Sequence, residues 1–289
     1  MNTLLYWSAR ALVAFIQALP LKLVARIGRT TGALAFWLDA RHRRVALENL
    51  EMCFGREKSP GEIRAIAMEN FRRIGENYAC AIKTAAMSSD ELRPHVEFCG
   101  SVSLPQKSGD EPKPGIILAI GHLGNFELFA RFQSVCPGHQ LATTYRALKH
   151  PAFNRLMQDI RRRSGCLFFE RRTGGRQLRA AMNRGGIVLG LLADQNSSGL
   201  RAPFLGHDCN TGLAPAIFAL RYGCQLYAAI CHRVALAKWR LELGEKIATH
   251  ENGRSRPSED IMRDVNHALE IAVRRDPANW FWVHRRWKV

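Results

Sequence analysis

Residues 115–127 read "GIILAIGHLGNFE", and this stretch decides the fold class of the chain. Its first six residues form a short, apolar run rich in β-branched side chains, which predicts a strand buried on both faces of a sheet. The run ends at Gly121 and His122, where glycine permits a turn, and Phe126 with the apolar residues after it indicates a helix that begins near Gly124. A buried strand followed by a turn and a helix is the repeating unit of an α/β fold.

Strand and helix patterns alternate again along the rest of the chain. Short apolar runs bounded by turn residues indicate strands, and apolar residues at three- and four-residue spacing indicate helices. The alternation predicts an α/β fold with a mostly parallel central sheet flanked by helices. The predicted strands are 115–120, 166–169, 187–193, 225–232 and 238–244, and the predicted helices are 150–165, 175–186, 212–223 and 258–275.

The segment before this alternation is helical. Residues 41–87 have a helical pattern in which Ser59 fits an N-cap, Pro60 fits the first helical position, and Glu62 completes a capping box. The polar segment 103–115 reads as a surface loop between this helical third and the α/β remainder.

The first 21 residues are apolar but interrupted. No uncharged run reaches the roughly 18–20 residues that a membrane-spanning helix requires. On a helix, Thr3, Arg10 and Gln17 share one face, which favours a helix that lies in a membrane interface with its opposite face in the lipid. The predicted apolar face consists of Leu4, Leu5, Trp7, Leu12, Val13, Phe15 and Ile16.

Other interpretations of this terminus remain open. An amphipathic helix can also pack on its own domain, and a second apolar block at residues 30–38 allows a hydrophobic hairpin. No small-residue cleavage site follows before residues 21–29, which disfavours a cleaved signal peptide. Basic residues near these blocks suit anionic headgroups. They are Lys22, Arg26, Arg29, Arg41, Arg43 and Arg44.

The formal charge of +17 and the sequence pI of about 10.1 favour an anionic partner. Nucleic acid, an anionic membrane surface and an acidic protein all satisfy that condition. The "HRRWK" segment at residues 284–288 mixes aromatic and basic residues, but no nucleic-acid module accompanies it, so we expect no nucleic-acid partner. The eight cysteines form no C-x-x-C pair and favour small buried side chains in a reducing compartment over zinc binding or disulfides.

His122 and Glu127 are the candidate catalytic residues. A strand that ends in Gly–His presents the imidazole at the rim of the sheet, where sites of α/β proteins gather. A carboxylate on one ring nitrogen leaves the other nitrogen free to act as a base, and Glu127 lies close enough in sequence to supply it. Since the segment offers no serine or cysteine nucleophile, we expect the base to activate a hydroxyl of the substrate.

The alternatives to this interpretation are structural. A histidine after a strand is often a hydrogen-bonded loop residue, and the H-x4-E spacing does not place two metal ligands on one helical face, so no metal site is predicted. Asp194 also follows a predicted strand, where it is either a site residue or a carboxylate that caps a turn. His207, His232 and His284 lack ligand spacing and are expected to be structural.

Four segments together resemble the late acyltransferases of lipid A biosynthesis, the lauroyl and myristoyl transferases of Gram-negative bacteria. The match runs over residues 40–289 and depends on the order and spacing of the segments. They are "GHLGNFE" at 121–127, "YRALKHPAFNRLMQDIRRRSG" at 145–165, "ADQNSSGLRAPFLGHDCNT" at 193–211 and "WFWVHRRWK" at 280–288.

The resemblance implies transfer of a fatty acyl chain from acyl carrier protein to the hydroxyl of a 3-hydroxyacyl chain on a lipid A precursor. It implies His122 as the general base, Glu127 as its orienting partner, and no cofactor or metal. It also implies a location on the cytoplasmic face of the inner membrane and an anionic glycolipid acceptor. Together with the amphipathic pattern of the N-terminus, it predicts a membrane-associating helical segment at 1–40 and an acyltransferase domain at 41–289. The residues that we expect to bind substrate are Asn125, Arg146, Arg172, Asp194 and Gln195.

The chain departs from the pattern of that family at a few positions. Phe126 replaces a tryptophan, Ala147 and Ala193 replace frequent prolines, and Leu205 replaces a phenylalanine. The acyl chain length and the acylated hydroxyl therefore stay open. The alternative enzyme is a glycerolipid acyltransferase of the lysophosphatidate type, which has H-x4-D and a Pro-Glu-Gly-Thr segment. The alternative outside enzymes is a basic protein that binds membranes or nucleic acid without catalysis.

Overall fold

The computed structural model describes residues 2–100, 113–131, 133 and 136–288. The predicted loop at 103–115 lies almost entirely outside these residues. The described α-helices are Asn2–Ala18 (α1), Leu21–Leu38 (α2), Ala40–Phe54 (α3), Pro60–Thr84 (α4), Ser89–Leu92 (α5), Pro151–Arg161 (α6), Gly175–Arg184 (α7), Ala214–Tyr222 (α8) and Ser258–Arg275 (α9). The described strands are Val96–Cys99 (β1), Ile116–Ile120 (β2), Gln140–Tyr145 (β3), Leu167–Glu170 (β4), Ile187–Leu192 (β5), Leu200–Phe204 (β6), His207–Thr211 (β7), Gln225–Ala235 (β8), Lys238–Ile247 (β9), His250–Glu251 (β10) and Arg254–Ser255 (β11).

Seven strands form the central sheet, in the order β1-β9-β8-β2-β5-β3-β4. Every neighbouring pair in it is parallel except β8 and β9, which form an antiparallel hairpin. The α/β class and the mostly parallel sheet flanked by helices are therefore confirmed. Because strand β2 lies between β8 and β5, the motif at its end occupies the middle of the sheet.

Strand β2 is buried along its whole length, as its apolar sequence predicts. Ile117 and Ala119 belong to the larger hydrophobic core, whereas Ile116, Leu118 and Ile120 belong to a second core on the other face. This alternation follows from the two-residue period of a strand. A strand that packs apolar side chains on both faces holds the residues after it in a fixed position.

Most predicted elements are present within one to three residues of their expected ends. The capping box of Ser59 and Glu62 is formed, and the last helix spans the predicted residues. The prediction of an α-helix that begins near Gly124 is wrong, because a short 3-10 helix from Phe126 to Arg131 takes its place. Gly124 has a φ of +55°, a conformation outside the α-helical region. Strands that the pattern did not predict are β1, β3, β6, β7, β10 and β11.

Helix α1 turns much of its apolar surface away from the protein. Leu4, Trp7, Leu12 and Phe15 have exposed fractions of 60% or more. Val13 and Ile16, which the sequence pattern placed on the same apolar face, instead pack on the protein. Among the described residues, no helix has the length and apolar character needed to cross a membrane.

Helices α2 and α4 cross at very close range. A Cβ at Gly28 would lie 2.5 Å from the Gly75 carbonyl oxygen, and a Cβ at Gly75 would overlap the Gly28 carbonyl oxygen. The crossing therefore requires glycine on both helices. Phe36 at the far end of α2 is fully buried in the larger core, so α2 is anchored at more than one point.

A buried carboxylate reinforces this crossing. Glu76 of α4 has no solvent exposure, and it accepts from Arg29 of α2 at 3.3 Å, Arg233 at 2.8 Å and the Ala237 backbone N–H at 2.9 Å. Such a charge is tolerated in the interior only because each oxygen has a donor. The group joins α2, α4 and the β8–β9 hairpin.

We expect Gly75→Ala to destabilise the protein by about 1–3 kcal/mol, because the added methyl overpacks the α2–α4 crossing. Gly61→Ala in the first turn of α4 is the matched control, since a Cβ there meets no atom within 4 Å. That control should leave stability unchanged or raise it by up to about 1 kcal/mol. Urea unfolding measures the free energy of unfolding of both variants. Equal values for the two would contradict the close contact of α2 and α4 at Gly75.

Candidate active site

The site lies at the carboxyl ends of two adjacent parallel strands. Ile120 of β2 pairs with Leu192 of β5, and His122 and Asp194 each follow two residues later. Since parallel strands end at the same edge, the pairing brings two residues 72 positions apart into contact. Gly121 continues the strand pairing through its N–H, which donates to the Ala229 carbonyl at 3.2 Å.

Asp194 receives three hydrogen bonds from the groups around it. Its Oδ1 lies 2.6 Å from Nδ1 of the His122 ring, and its Oδ2 accepts from the His122 backbone N–H at 2.6 Å. Oδ2 also accepts from the indole Nε1–H of Trp280 at 2.7 Å. A carboxylate on Nδ1 favours the tautomer that carries the proton there, which leaves Nε2 with a free lone pair.

The charge on Asp194 is stabilised despite complete burial. Burial alone raises the pKa of this carboxyl, but the His122 ring, the His122 N–H and the Trp280 indole outweigh it and lower the pKa below its ordinary value. Asp194 therefore stays ionised at neutral pH. Because its oxygens are engaged by these donors, it acts on chemistry through the His122 ring.

The C-terminal segment holds both sides of this pair. Leu123 forms an isolated β-bridge with Trp280, and the Gly124 N–H donates to the Asn279 carbonyl at 3.2 Å. Arg286 is fully buried, and its Nη1 donates to the Gln195 carbonyl at 2.8 Å. The segment thus fixes the turn after β2 and the turn after β5 together.

A cleft opens beside His122, and we call it the His122 pocket. Helix α4, the turn after β2 and the C-terminal segment form its walls. The His122 ring packs against Phe126 with ring centroids 5.0 Å apart, and against Phe281 at 6.0 Å. The lining residues of the pocket include His122, Asn125, Phe126, Glu127, Tyr78 and Phe281.

Glu127 lines the same pocket but has a different partner from the one expected. Its Oε1 accepts from Arg161 Nη2 of α6 at 2.9 Å, whereas the carboxylate on the His122 ring belongs to Asp194. Arg161 also stacks over the Tyr145 and Phe168 rings. The catalytic role of Glu127 stays a prediction, and the structure places that carboxylate in an ion pair at the pocket wall.

A second cleft lies next to the His122 pocket, and we call it the apolar groove. Phe126 and Glu127 line both cavities, so these two residues form part of the wall between them. Strands β2, β3, β4 and β5 supply most of the groove. Its lining is dominated by Leu118, Ile120, Leu141, Phe168 and Val188.

The remaining predicted site residues lie along the same edge. Arg146 follows β3, Arg172 follows β4, and both side chains are exposed. Gln195 is half-buried, and its carbonyl oxygen binds Arg286. Asn125 is buried and lines the His122 pocket directly. The structure thus joins Asn125 and Asp194 to His122, and leaves the two arginines at the surface.

The sequence analysis did not predict Trp280, Asn70 or Asn279 as site residues. Asn70 of α4 donates from Nδ2 to the Ala278 carbonyl at 2.9 Å, and Asn279 donates from Nδ2 to the Cys231 carbonyl at 2.9 Å. Both asparagines line the His122 pocket. The available signal was the aromatic segment at 280–288, whose three tryptophans mark a buried segment and not an exposed tail.

Comparison with known proteins identifies the family. The profile of the bacterial lipid A biosynthesis acyltransferases matches residues 1–289. The chain belongs to this family. It is 24% identical over 292 residues to the lipid A biosynthesis myristoyltransferase of Escherichia coli (strain K12), a match that covers 96% of this chain and 84% of that protein. It is 22% identical over 291 residues to the lipid A biosynthesis palmitoleoyltransferase of the same strain, covering 98% of this chain and 91% of that protein.

A lipid A biosynthesis acyltransferase of Shigella flexneri is also 22% identical over 291 residues. Family membership confirms the resemblance found in the four motifs. It supports an O-acyltransferase that acts in lipid A biosynthesis.

We expect Asp194→Asn to lower kcat for acyl transfer by about 10⁴-fold, because the amide no longer holds the His122 tautomer with a free Nε2. Asp208→Asn, which changes an exposed aspartate on β7, is the matched control and should stay within twofold of wild type. Steady-state kinetics on both variants measure the difference. An Asp194→Asn enzyme within fivefold of wild type would exclude this carboxylate as the orienting group.

Proposed function

We propose that the protein transfers a fatty acyl chain from an acyl carrier protein thioester to the hydroxyl of a 3-hydroxyacyl chain on a lipid A precursor. One observation carries the proposal within this family. The His122 ring is held at Nδ1 by an ionised, buried Asp194 and lines the His122 pocket. A histidine held in this way has one nitrogen left to act as a base.

His122 Nε2 removes the proton from the acceptor hydroxyl as the oxygen attacks the thioester carbonyl carbon. The new C–O bond gives a tetrahedral intermediate, and the C–S bond then breaks. His122 returns the proton to the departing sulfur, so the base is regenerated and no acyl-enzyme forms. Asp194 stabilises the imidazolium between the two proton transfers and keeps the ring in place.

We assign the apolar groove to the acyl chain. Its lining is mainly aliphatic and aromatic, and it meets the His122 pocket at Phe126 and Glu127. A thioester at that junction would have its carbonyl near His122 and its hydrocarbon in the groove. Burial of each methylene in the groove contributes about 0.8 kcal/mol to binding.

Glu127 and Arg161 form the polar part of that junction. Their ion pair fixes the 3-10 turn after the histidine against helix α6. Since Asp194 supplies the carboxylate on the imidazole, we assign Glu127 to shaping the junction and holding the reacting groups beside His122. Asn125 lines the same pocket and is assigned to the substrate.

Charge favours the proposed donor and acceptor. Acyl carrier protein is acidic and the acceptor carries phosphates, whereas this chain has a net charge of +17. Arg146 and Arg172 are exposed beside the ends of β3 and β4, on the edge that also carries His122. They are suited to phosphate groups or to the surface of the carrier. Gln195 lies on the same edge and supports the turn after Asp194.

The N-terminal helices provide the proposed membrane surface. Helix α1 exposes Trp7 and Phe15, and α2 exposes Leu34, Trp37 and Leu38. Large apolar side chains exposed in this number are typical of an interaction surface. Exposed Lys22, Arg26 and Arg41 follow along the chain, which suits an anionic leaflet. We therefore place the protein on the cytoplasmic face of the inner membrane, with residues 1–40 as the membrane-associating segment.

We expect wild-type protein to transfer a radiolabelled acyl group from acyl carrier protein to a tetraacyl lipid A precursor. His122→Ala should reduce that rate by at least about 10²-fold, because the general base is lost. His250→Ala changes an exposed histidine on β10 and serves as the control. Lysophosphatidate runs as a second acceptor. Transfer to lysophosphatidate with none to the lipid A precursor would assign the enzyme to glycerolipid synthesis.

We expect the protein to bind vesicles that contain phosphatidylglycerol through α1. Replacing Trp7, Leu12 and Phe15 together by glutamate should reduce the bound fraction more than about tenfold, because each buried large side chain contributes roughly 1.5–3 kcal/mol. Ile271→Glu changes an exposed apolar residue of α9 and is the control. Co-sedimentation measures both. Undiminished binding by the triple variant would remove α1 from the membrane surface.

A further inference from the structure

Asn125 is buried in the His122 pocket, and the polar atoms of its side chain have no hydrogen-bond partner among the described residues. Its side chain is 2% exposed, and among the described residues neither Nδ2 nor Oδ1 has a hydrogen-bond partner. Leaving both polar atoms of a buried carboxamide without partners costs free energy, so native proteins avoid it unless a ligand completes the site.

The other buried asparagines show what is unusual here. Asn49, Asn70, Asn266 and Asn279 each donate from Nδ2 to a backbone carbonyl. Those four side chains therefore serve the fold. Within the described part of the chain, Asn125 is the buried asparagine with both carboxamide atoms free.

The backbone around Asn125 is well held, so backbone flexibility does not explain why its carboxamide has no partner. The Asn125 carbonyl accepts from the Leu128 N–H at 3.1 Å, and its own N–H is hydrogen-bonded to the buried thiol of Cys231. The preceding Gly124 is fixed by its bond to Asn279. The backbone that carries the Asn125 side chain is therefore held in place at the His122 pocket.

Acyl transfer in this pocket also requires a hydrogen-bond donor to the carbonyl oxygen, and Asn125 can supply it. Attack on a thioester moves an electron pair onto the carbonyl oxygen, and that oxyanion needs a hydrogen-bond donor that is in place beforehand. Glu127 is unsuited to the task because its carboxylate repels a negative oxygen. A carboxamide N–H donates without titrating, and buried donors of this kind are effective because water is excluded.

We propose that Asn125 is a catalytic residue whose Nδ2–H donates to the thioester carbonyl oxygen and holds it as the oxyanion of the tetrahedral intermediate. The proposal rests on the acyl-transfer function proposed above. His122 moves the only proton, from the acceptor hydroxyl to the departing sulfur. The electron pair on the oxyanion re-forms the C=O bond as the C–S bond breaks, and Asn125 keeps all of its protons throughout.

The test replaces Asn125 with aspartate, which has the same shape but no N–H. At pH 8 we expect kcat to fall by about 10²–10³-fold with KM for the acyl carrier thioester changed less than threefold. Burial raises the pKa of a carboxyl, so a protonated Asp side chain can donate through its O–H at lower pH. The ratio of Asn125→Asp to wild-type kcat should therefore rise at least fivefold from pH 8 to pH 6.

Two further variants complete the experiment. Asn125→Ala also loses the donor but has no carboxyl, so its ratio to wild-type kcat should stay flat with pH. Asn266→Asp alters a buried asparagine outside the His122 pocket and controls for burial of the new carboxyl. Thermal unfolding of each variant confirms that the folded protein is being assayed.

The outcomes separate the two proposals. Wild-type transfer together with the pH-dependent recovery of Asn125→Asp supports the donor role. Wild-type transfer with both Asn125 variants within fivefold of it overturns that role, as does a loss that appears in KM alone or is equal in both variants at every pH. Absence of transfer by wild-type protein to any acceptor rejects the proposed function itself.

Discussion

The carboxylate of Asp194 is the group on which the site depends. It is fully buried, and it joins the end of β2 through His122 and the C-terminal segment through Trp280. Removing a carboxylate from water is costly unless donors surround it. The three donors lower its pKa despite burial, so one ionised group orients the imidazole and links three segments that are distant in the chain.

This arrangement explains why the C-terminal segment is buried and not a free tail. Trp280 contacts the acid, Arg286 holds the turn after it, and Asn279 holds the turn that carries Asn125. Substrate therefore meets side chains that are already in place, which is the condition for electrostatic stabilisation of a transition state. The same rigidity leaves the Asn125 carboxamide available for the reacting atoms.

The N-terminal helices differ from the core in that they leave large apolar side chains exposed. Glycines at the α2–α4 crossing and the buried Glu76 fix α2 to the domain, while α1 keeps large apolar side chains in contact with solvent. In the proposed function, a lipid interface covers these side chains. Tyr6 of α1 donates to Asp159 of α6 at 2.7 Å, so α1 also contacts the helix that carries Arg161.

The sequence by itself determined the α/β class, the long helices, strand β2 and the position of His122, because these follow from local periodicity, capping and turn chemistry. It could not determine that Asp194, and not Glu127, holds the imidazole, since that contact depends on β5 pairing beside β2. The 3-10 turn after Gly124 and the burial of Trp280 were also decided by tertiary contacts. Proximity along the chain favoured Glu127 as the partner of His122, whereas the pairing of β2 with β5 places Asp194 there.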